Sequence, residues 1–332
     1  MAGAGKLRVA VLYGGRSGEH EISIRSAEAI VAGLDSTKYE VQRIFITPDG
    51  RWQPATISPE PGANPGIDVV FPVLHGTFGE DGTVQGLLEL SGLPYVGCGV
   101  LASAVCMDKD VLKRLLLEHD LPVVEYSVVA RGQYTAADYR DLTYPVFVKP
   151  ANLGSSVGIS KVARPDDLGA ALDLAAQFDR KILIERGIAG REFECSVMGN
   201  SLGEAEPIAA IPCEVLPSRE FYDYEDKYIL GTSKTVLPAD LTSEQTTEIR
   251  RLAVEAYKAA ECEGMARVDF LLETATNKFY INEINTIPGF TSISMYPKMW
   301  EAAGVPFGEL LDRLIGFALE RSRARSETRY TK

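Results

Sequence analysis

The stretches Gly264-Met-Ala-Arg-Val-Asp-Phe270 and Lys278-Phe-Tyr-Ile-Asn-Glu-Ile-Asn285 carry an arginine, two carboxylates and an amide at alternate positions. Side chains of an extended strand leave on opposite faces in turn. Arg267 and Asp269 therefore share a face, and so do Glu283 and Asn285. Asn277 lies between the two apolar runs, where a hairpin turn belongs. If the strands pair, all four polar groups project to one side. Hard oxygen donors on rigid strands suit Mg²⁺, which takes a few protein oxygens together with nucleotide phosphates. A solvated face of a half-exposed hairpin shows the same alternation. The flanking Asn285-Thr-Ile-Pro-Gly289 loop ends the second strand abruptly and brings backbone N–H groups near these side chains, which favours a binding role.

Other segments offer complementary chemistry. Tyr144-Pro-Val-Phe-Val-Lys-Pro150 reads as a strand ending in a lysine, followed by the loop Ala151-Asn-Leu-Gly-Ser-Ser-Val-Gly158. The backbone amides of such a loop can fold over phosphates, with Lys149 as counter-charge. It is not a Walker A loop, because it lacks G-K-[ST] and leads into a strand. A plain glycine-rich hairpin is the competing reading. Glu19 closes the turn Gly14-Gly-Arg-Ser-Gly-Glu-His20, at the positive end of a helix dipole, as a cap or as something more. That turn lacks G-x-G-x-x-G, so a dinucleotide fold is weakly supported. His75 opens the loop His75-Gly-Thr-Phe-Gly-Glu-Asp-Gly82 at the carboxyl end of a buried strand, where ligands approach open α/β sheets. An ordinary loop histidine fits there equally.

The elements that position these groups follow from periodicity. Strands at Leu7–Tyr13, Tyr39–Ile46 and Asp68–Leu74, with a helix over Glu21–Leu34, make a β-α-β opening and a parallel sheet. Pro48–Gly66 reads as a loose excursion, Thr83–Leu90 as a helix and Tyr95–Gly97 as a short strand. A domain boundary falls at Ala104–Asp108, and Asp108 caps a helix running to His119 with Val111, Leu112, Leu115 and Leu116 as its apolar face. Further strands are expected at 159–162, 181–185, 192–198 and 208–215, the last two antiparallel, and helices at 165–178, 243–262 and 306–325. The segment 217–234 is an aromatic, charged loop long enough to be functional.

A net charge of −12 over 332 residues leaves no basic surplus for nucleic acid as a main partner. No apolar run reaches membrane-spanning length, and no signal-peptide core follows Met1. Five cysteines without C-x-x-C suggest reduced, buried thiols and a cytoplasmic protein, and three scattered histidines argue against zinc.

Seven motifs then occur in order: Gly14-Gly-Arg-Ser-Gly-Glu-His-Glu-Ile-Ser23; His75–Gly82 with Gln85-Gly86; Met107-Asp-Lys109; Val148-Lys-Pro150 with Gly154-Ser-Ser-Val-Gly158; Phe221-Tyr-Asp-Tyr-Glu-Asp-Lys-Tyr228; Arg267-Val-Asp269; and Asn282-Glu-Ile-Asn-Thr-Ile-Pro-Gly-Phe-Thr-Ser292. On these, from about Lys6 to Leu319, the chain resembles the D-alanine–D-alanine ligase family of the ATP-grasp superfamily. The resemblance implies an α/β and α+β, three-domain ATP-grasp architecture. An N-terminal parallel α/β substrate domain would span 1–106, a central domain 107–199 and a catalytic domain 200–322, with a frayed tail at 323–332. It implies ligation of two D-alanines through an acyl phosphate, for peptidoglycan precursor synthesis. ATP and two Mg²⁺ ions, replaceable by Mn²⁺, would be required. It also implies a cytoplasmic homodimer without membrane or nucleic-acid partners.

Residue by residue, the resemblance makes Asp269, Glu283 and Asn285 metal ligands. Arg267, with the Gly289 amide, would stabilise the oxyanion. Lys109 and Lys149 would contact phosphates, Glu185 would lie near adenine and Glu192 at the ribose. Glu19 would pair with the ammonium of the first D-alanine, near His75. Glu19, Ser155 and Tyr228 would form a hydrogen-bonded chain closing the site. Lys227 and Ser294 would hold the carboxylate of the second D-alanine. Tyr228, in an intact Tyr-x-Tyr-x-x-Lys-Tyr pattern, implies D-alanine and not D-lactate as second substrate. Two other readings compete: a different ATP-grasp ligase, opposed by Glu19 and Tyr228, and a non-catalytic nucleotide-binding protein, opposed by the intact Arg267, Asp269, Glu283 and Asn285.

Overall fold

The computed structural model describes residues 5–135, 139, 141–154, 157–216 and 234–329. Its first sheet contains β1 (Leu7–Gly14), β2 (Tyr39–Ile46), β3 (Trp52–Gln53) and β4 (Val69–Val73), in the order β3-β2-β1-β4, with α1 (His20–Gly33) between β1 and β2. β1 is parallel to both β2 and β4, as the β-α-β pattern requires. Its apolar run is continuous because both faces are covered. Val9 and Val11 pack with Ala27 and Ile30 of α1, and Ala10 and Leu12 pack with Val84 and Leu88 of α2 (Thr83–Ser91). Tyr95 forms a single parallel bridge to Val70 in place of the expected short strand.

A helix absent from the sequence reading, α3 (Val100–Met107), precedes α4 (Lys109–Glu118). Its residues are apolar on nearly every side, so no helical period marks it. The Asp108 carboxylate caps α4, accepting from the backbone N–H groups of Asp110 and Val111. The buried stripe of α4 is Lys109, Leu112, Lys113 and Leu116, so two lysines stand where Val111 and Leu115 were expected.

The second sheet, in the order β5-β8-β6-β7, is antiparallel: β5 (Tyr126–Ala130), β6 (Val146–Pro150), β7 (Ser160–Val162) and β8 (Lys181–Arg186). A 3-10 turn at Pro165–Asp167 leads into α5 (Leu168–Ala175), which is shorter than the Pro165–Phe178 helix expected and covers one face with Leu168, Leu172 and Ala175.

The third sheet runs β12-β11-β9-β13-β14, with β10 on the flank of β9. Its strands are β9 (Gly190–Asn200), β10 (Ile208–Ala209), β11 (Cys213–Leu216), β12 (Lys234–Val236), β13 (Glu263–Glu273) and β14 (Lys278–Asn285), and all are antiparallel. One face packs on α6 (Ser243–Ala259). α6 begins one residue after its cap, Thr242, whose side chain forms a capping box with Gln245. Two helices, α7 (Met295–Ala302) and α8 (Phe307–Ser326), complete the chain, and Leu310, Leu311 and Leu314 of α8 pack against Val9, Val11 and Ile30. The last helix thus ties the third sheet to the first. All five cysteines are buried free thiols. Among the described residues no helix is long and apolar enough to cross a membrane.

Candidate functional site

β13 and β14 form the expected hairpin, with Asn277 at its turn in a left-handed conformation, φ 56°. Arg267 faces Asn285 and Asp269 faces Glu283 across the pair. Strict alternation would have failed here. Phe279, Ile281 and Ile284 all point into the core, although 281 and 284 differ by an odd number. The register shifts between Asp269 and Phe270, leaving Asn282 as an extra residue in β14. Such a bulge changes the parity of the strand and puts Glu283 and Asn285 on the face away from Ile281.

On that face Arg267 donates from Nε to Asp269 Oδ1 at 2.6 Å and from Nη2 to Oδ2 at 2.7 Å. Asn285 Nδ2 donates to Asp269 Oδ2 at 3.0 Å. β9 brings a third acid, because Glu194 lies opposite Asp269, with its Oε2 3.5 Å from Arg267 Nε. Burial works against the charged guanidinium, but Asp269, Glu194 and Glu283 outweigh it and hold Arg267 firmly cationic. Glu192 lies on the same face of β9, opposite Leu271. Lys109 reaches across from α4: its Nζ is 3.5 Å from Glu283 Oε2 and donates to the Leu153 carbonyl at 2.9 Å. It therefore links the glycine-rich loop to β14.

A second cluster sits on the central sheet. Lys149 Nζ lies 2.5 Å from Glu185 Oε2, and Lys113 Nζ lies 3.2 Å from Oε1. Burial alone would push the Glu185 carboxyl up, but the two lysines pull it down to about 2.

The N-terminal sheet contributes a third group. Ser17 Oγ donates to the His75 carbonyl at 2.6 Å and accepts from the Glu19 N–H at 3.2 Å. A Cβ built on Gly76 would stand 2.9 Å from Glu19 Oε2, and one on Gly154 would stand 3.7 Å from it. Glu19 thus lies between the loop after β4 and the glycine-rich loop. His75 is buried, with Nδ1 2.9 Å from the Ile287 carbonyl, Nε2 3.3 Å from Ser26 Oγ and Glu80 Oε1 3.8 Å away. Ser26 Oγ also accepts from the Phe290 N–H at 3.1 Å. Nδ1 of His75 docks the loop after β14 directly, and Nε2 reaches it through Ser26 of α1. Gly289 packs so tightly that a Cβ would meet Ser294 Oγ at 2.7 Å. The Ser294 hydroxyl is held by the Thr291 N–H at 3.0 Å. Ser155, Lys227 and Tyr228 lie outside the described residues.

Asp269, Glu283 and Asn285 present two carboxylates and an amide oxygen, a hard donor set that suits Mg²⁺ completed by phosphate oxygens. Among the described residues no group of three or more His, Cys, Asp or Glu could hold a metal by itself. Sequence reasoning missed Glu194, Lys113 and Glu80. The Glu192-x-Glu194 spacing on one strand and the Lys109-x₃-Lys113 spacing on one helix were available signals for the first two.

Comparison with known proteins bears on this geometry directly. The family model described as D-ala D-ala ligase C-terminus matches residues 115–316, and the corresponding N-terminus model matches 8–64 and 53–98. The chain belongs to the D-alanine–D-alanine ligase family. It is 65% identical to a D-alanine–D-alanine ligase of Solibacter usitatus, covering 98% of this chain and 100% of the relative. It is 50% identical to the enzyme of that name from Caldicellulosiruptor bescii, over 98% and 99% of the two chains. The solved D-alanine–D-alanine ligase of Coxiella burnetii superposes with a TM-score of 0.87 at 40% identity, over 98% of this chain and 97% of that one. The VanG D-Ala:D-Ser ligase of Enterococcus faecalis gives 0.86 at 36% identity, over 95% and 100%. The expected ATP-grasp architecture with its N-terminal parallel sheet is thereby met.

Proposed function

We propose that this protein joins two D-alanine molecules into D-alanyl-D-alanine at the expense of ATP, for peptidoglycan precursor synthesis. The supporting observation is the single polar face of β13, β14 and β9, with Arg267 among three carboxylates and Lys109 reaching over it, in a chain of this family. A carboxylate oxygen of the first D-alanine attacks the γ-phosphorus and ADP leaves. The amine of the second attacks the resulting acyl phosphate, loses a proton, and phosphate departs. Asp269, Glu283 and Asn285 would hold the divalent cations, Mg²⁺ or Mn²⁺, whose chemistry is charge neutralisation at the phosphate oxygens. Arg267 and the Gly289 amide stabilise the tetrahedral oxyanion. Lys109 and Lys149 neutralise phosphates, Glu185 serves the adenine end and Glu192 the ribose. Glu19 takes the ammonium of the first D-alanine, and its place beside Gly76 and Gly154 supports a role in joining the substrate loop to the lid. Ser155 and Tyr228 complete that closure, which protects the acyl phosphate from water. Lys227 and Ser294 hold the second carboxylate. His75 acts from beneath the first substrate, by fixing the loop that carries Gly289.

Three domains fit this scheme, with the first junction at 106/107, and any tail is drawn after Ser326 and not from 323, because α8 runs unbroken to Ser326 and its Arg325 pairs with Glu89. The middle junction is better drawn before Gly190 than after position 199, because β9 is hydrogen-bonded along its length to β13. A cytoplasmic homodimer completes the reading. The test is phosphate release from ATP and Mg²⁺ with D-alanine and with L-alanine, followed by product identification. Release with the D isomer alone and a dipeptide product support it. No release with either isomer would favour a non-catalytic nucleotide-binding protein. Because a D-Ala:D-Ser ligase shares this fold, the assay includes D-serine and D-lactate as competitors. A predominant D-alanyl-D-serine or depsipeptide product would overturn D-alanine as the second substrate.

A further inference from the structure

We propose that Lys113 is a positioning residue that sets the charge offered to the nucleotide's phosphates, acting through Glu185 on Lys149. The proposal rests on the reading of Lys149 as a phosphate contact. Lys113 follows Lys109 by one turn of α4, on the same buried stripe. Its side chain is 1% exposed, so it does not reach a substrate itself. Each Glu185 oxygen faces one ammonium: Oε1 has Lys113 at 3.2 Å and Oε2 has Lys149 at 2.5 Å. The ring of Tyr126 flanks Lys113 Nζ at 5.6 Å.

Charge counting gives the consequence. Glu185 and Lys149 alone form a neutral pair, which has no net attraction for a polyanion. Lys113 adds one positive charge, so the triad carries a surplus beside the cleft. In surroundings poorer in water than the bulk, that surplus acts strongly on phosphate. A second buried ammonium is also unfavourable in itself, since burial pushes Lys113 down against the pull of Glu185. An apolar side chain of similar length would fill the space without that penalty. Packing therefore does not account for it, whereas a requirement for positive potential does.

The experiment is steady-state kinetics on Lys113→Met, Lys149→Met, Glu185→Gln and the double variant Lys113→Met/Glu185→Gln. Lys113→Met is expected to raise KM for ATP about tenfold, the scale of one close charge, with KM for D-alanine unchanged. In the Glu185→Gln background the same substitution is expected to add little, because a buried Lys113 without its counter-ion sheds its proton and no longer carries the surplus charge. A fall in melting temperature with KM for ATP unchanged would mean a merely structural lysine and overturn the proposal. Equal losses in both backgrounds would overturn the route through Glu185. If Lys149→Met leaves KM for ATP unaltered, the underlying reading of Lys149 fails instead. Should Lys113→Met not fold, ADP titrations of the double variant and of Glu185→Gln decide: similar affinities support the proposal and dissimilar ones overturn it.

Discussion

Two largely buried glutamates flank the candidate site, one on the central sheet and one in the loop after β4, and their carboxyls are shifted in opposite directions. Glu185, on the central sheet, meets a lysine at each oxygen and stays ionised far into the acid range. Glu80, in the loop after β4, has a side chain 16% exposed and faces His75 at 3.8 Å, with Glu19 nearby. Burial raises its carboxyl, Glu19 raises it further, and the pull of His75 does not compensate. Burial acts in the same direction on both acids. The sign of the net shift is set by what else the fold brings within a few ångströms. The first arrangement makes a permanent anion that organises cations. The second disfavours the anion and sets Glu80 beside His75 within one loop, and it is the imidazole of His75 that docks this loop on the Ile287 carbonyl.

The contrast breaks most directly at Glu185. Glu185→Ala leaves two buried ammonium groups with no counter-ion and is expected to cost about 3–5 kcal/mol in a denaturant titration. A loss below about 1 kcal/mol, the size of one ordinary hydrogen bond, would mean that the triad is not what holds this region. Acid titration of the parent protein sharpens the same point. The folded Glu185 carboxyl sits below its ordinary value of 4.5, so its contribution is fully present above pH 4.5 and is lost as pH falls toward about 2. Glu185→Gln should flatten the stability curve across that window, and an unchanged curve would remove Glu185 from the account.

Smaller effects are expected in the N-terminal cluster. Glu80→Gln, measured by thermal unfolding at neutral pH, should cost no more than about 1 kcal/mol, because burial and Glu19 already disfavour the ionised form. A cost as large as that at Glu185 would erase the distinction between the two acids. At His75, burial opposes the imidazolium, yet Glu80, Glu19 and the Ile287 carbonyl outweigh it and raise the group above its ordinary 6.5. Its contribution is therefore full below pH 6.5 and fades as pH rises through the higher folded value. An imidazole resonance titrating below 6.5 in the folded protein would reverse that sign.

Much of this molecule could be read from the chain. Tyr39–Ile46 is a strand with the expected limits, and Asp108 caps α4 as its residue type suggested. Arg267, Asp269, Glu283 and Asn285 do share a face. They do so through a bulge at Asn282 that no alternation rule could place, because a bulge is visible only against its partner strand. The helix Val100–Met107 escaped notice because uniform apolarity carries no period. Lys113 escaped because a lysine on an amphipathic helix is ordinarily a solvated one. Its partner lies 72 positions on (185 − 113), beyond the reach of any local pattern.

Local spacing, turn chemistry and cap residues depend on neighbours a few positions apart, so the amino-acid order alone determined the hairpin turn at Asn277 and the capped start of α4. The downward shift of Glu185, the bulge at Asn282, the recruitment of Glu194 beside Arg267 and the docking of His75 on Ile287 depend on distances between residues far apart in the chain or on pairing with a partner strand. Those were decided only when three sheets were packed together, because electrostatic free energy is set by separation in space and by the exclusion of water.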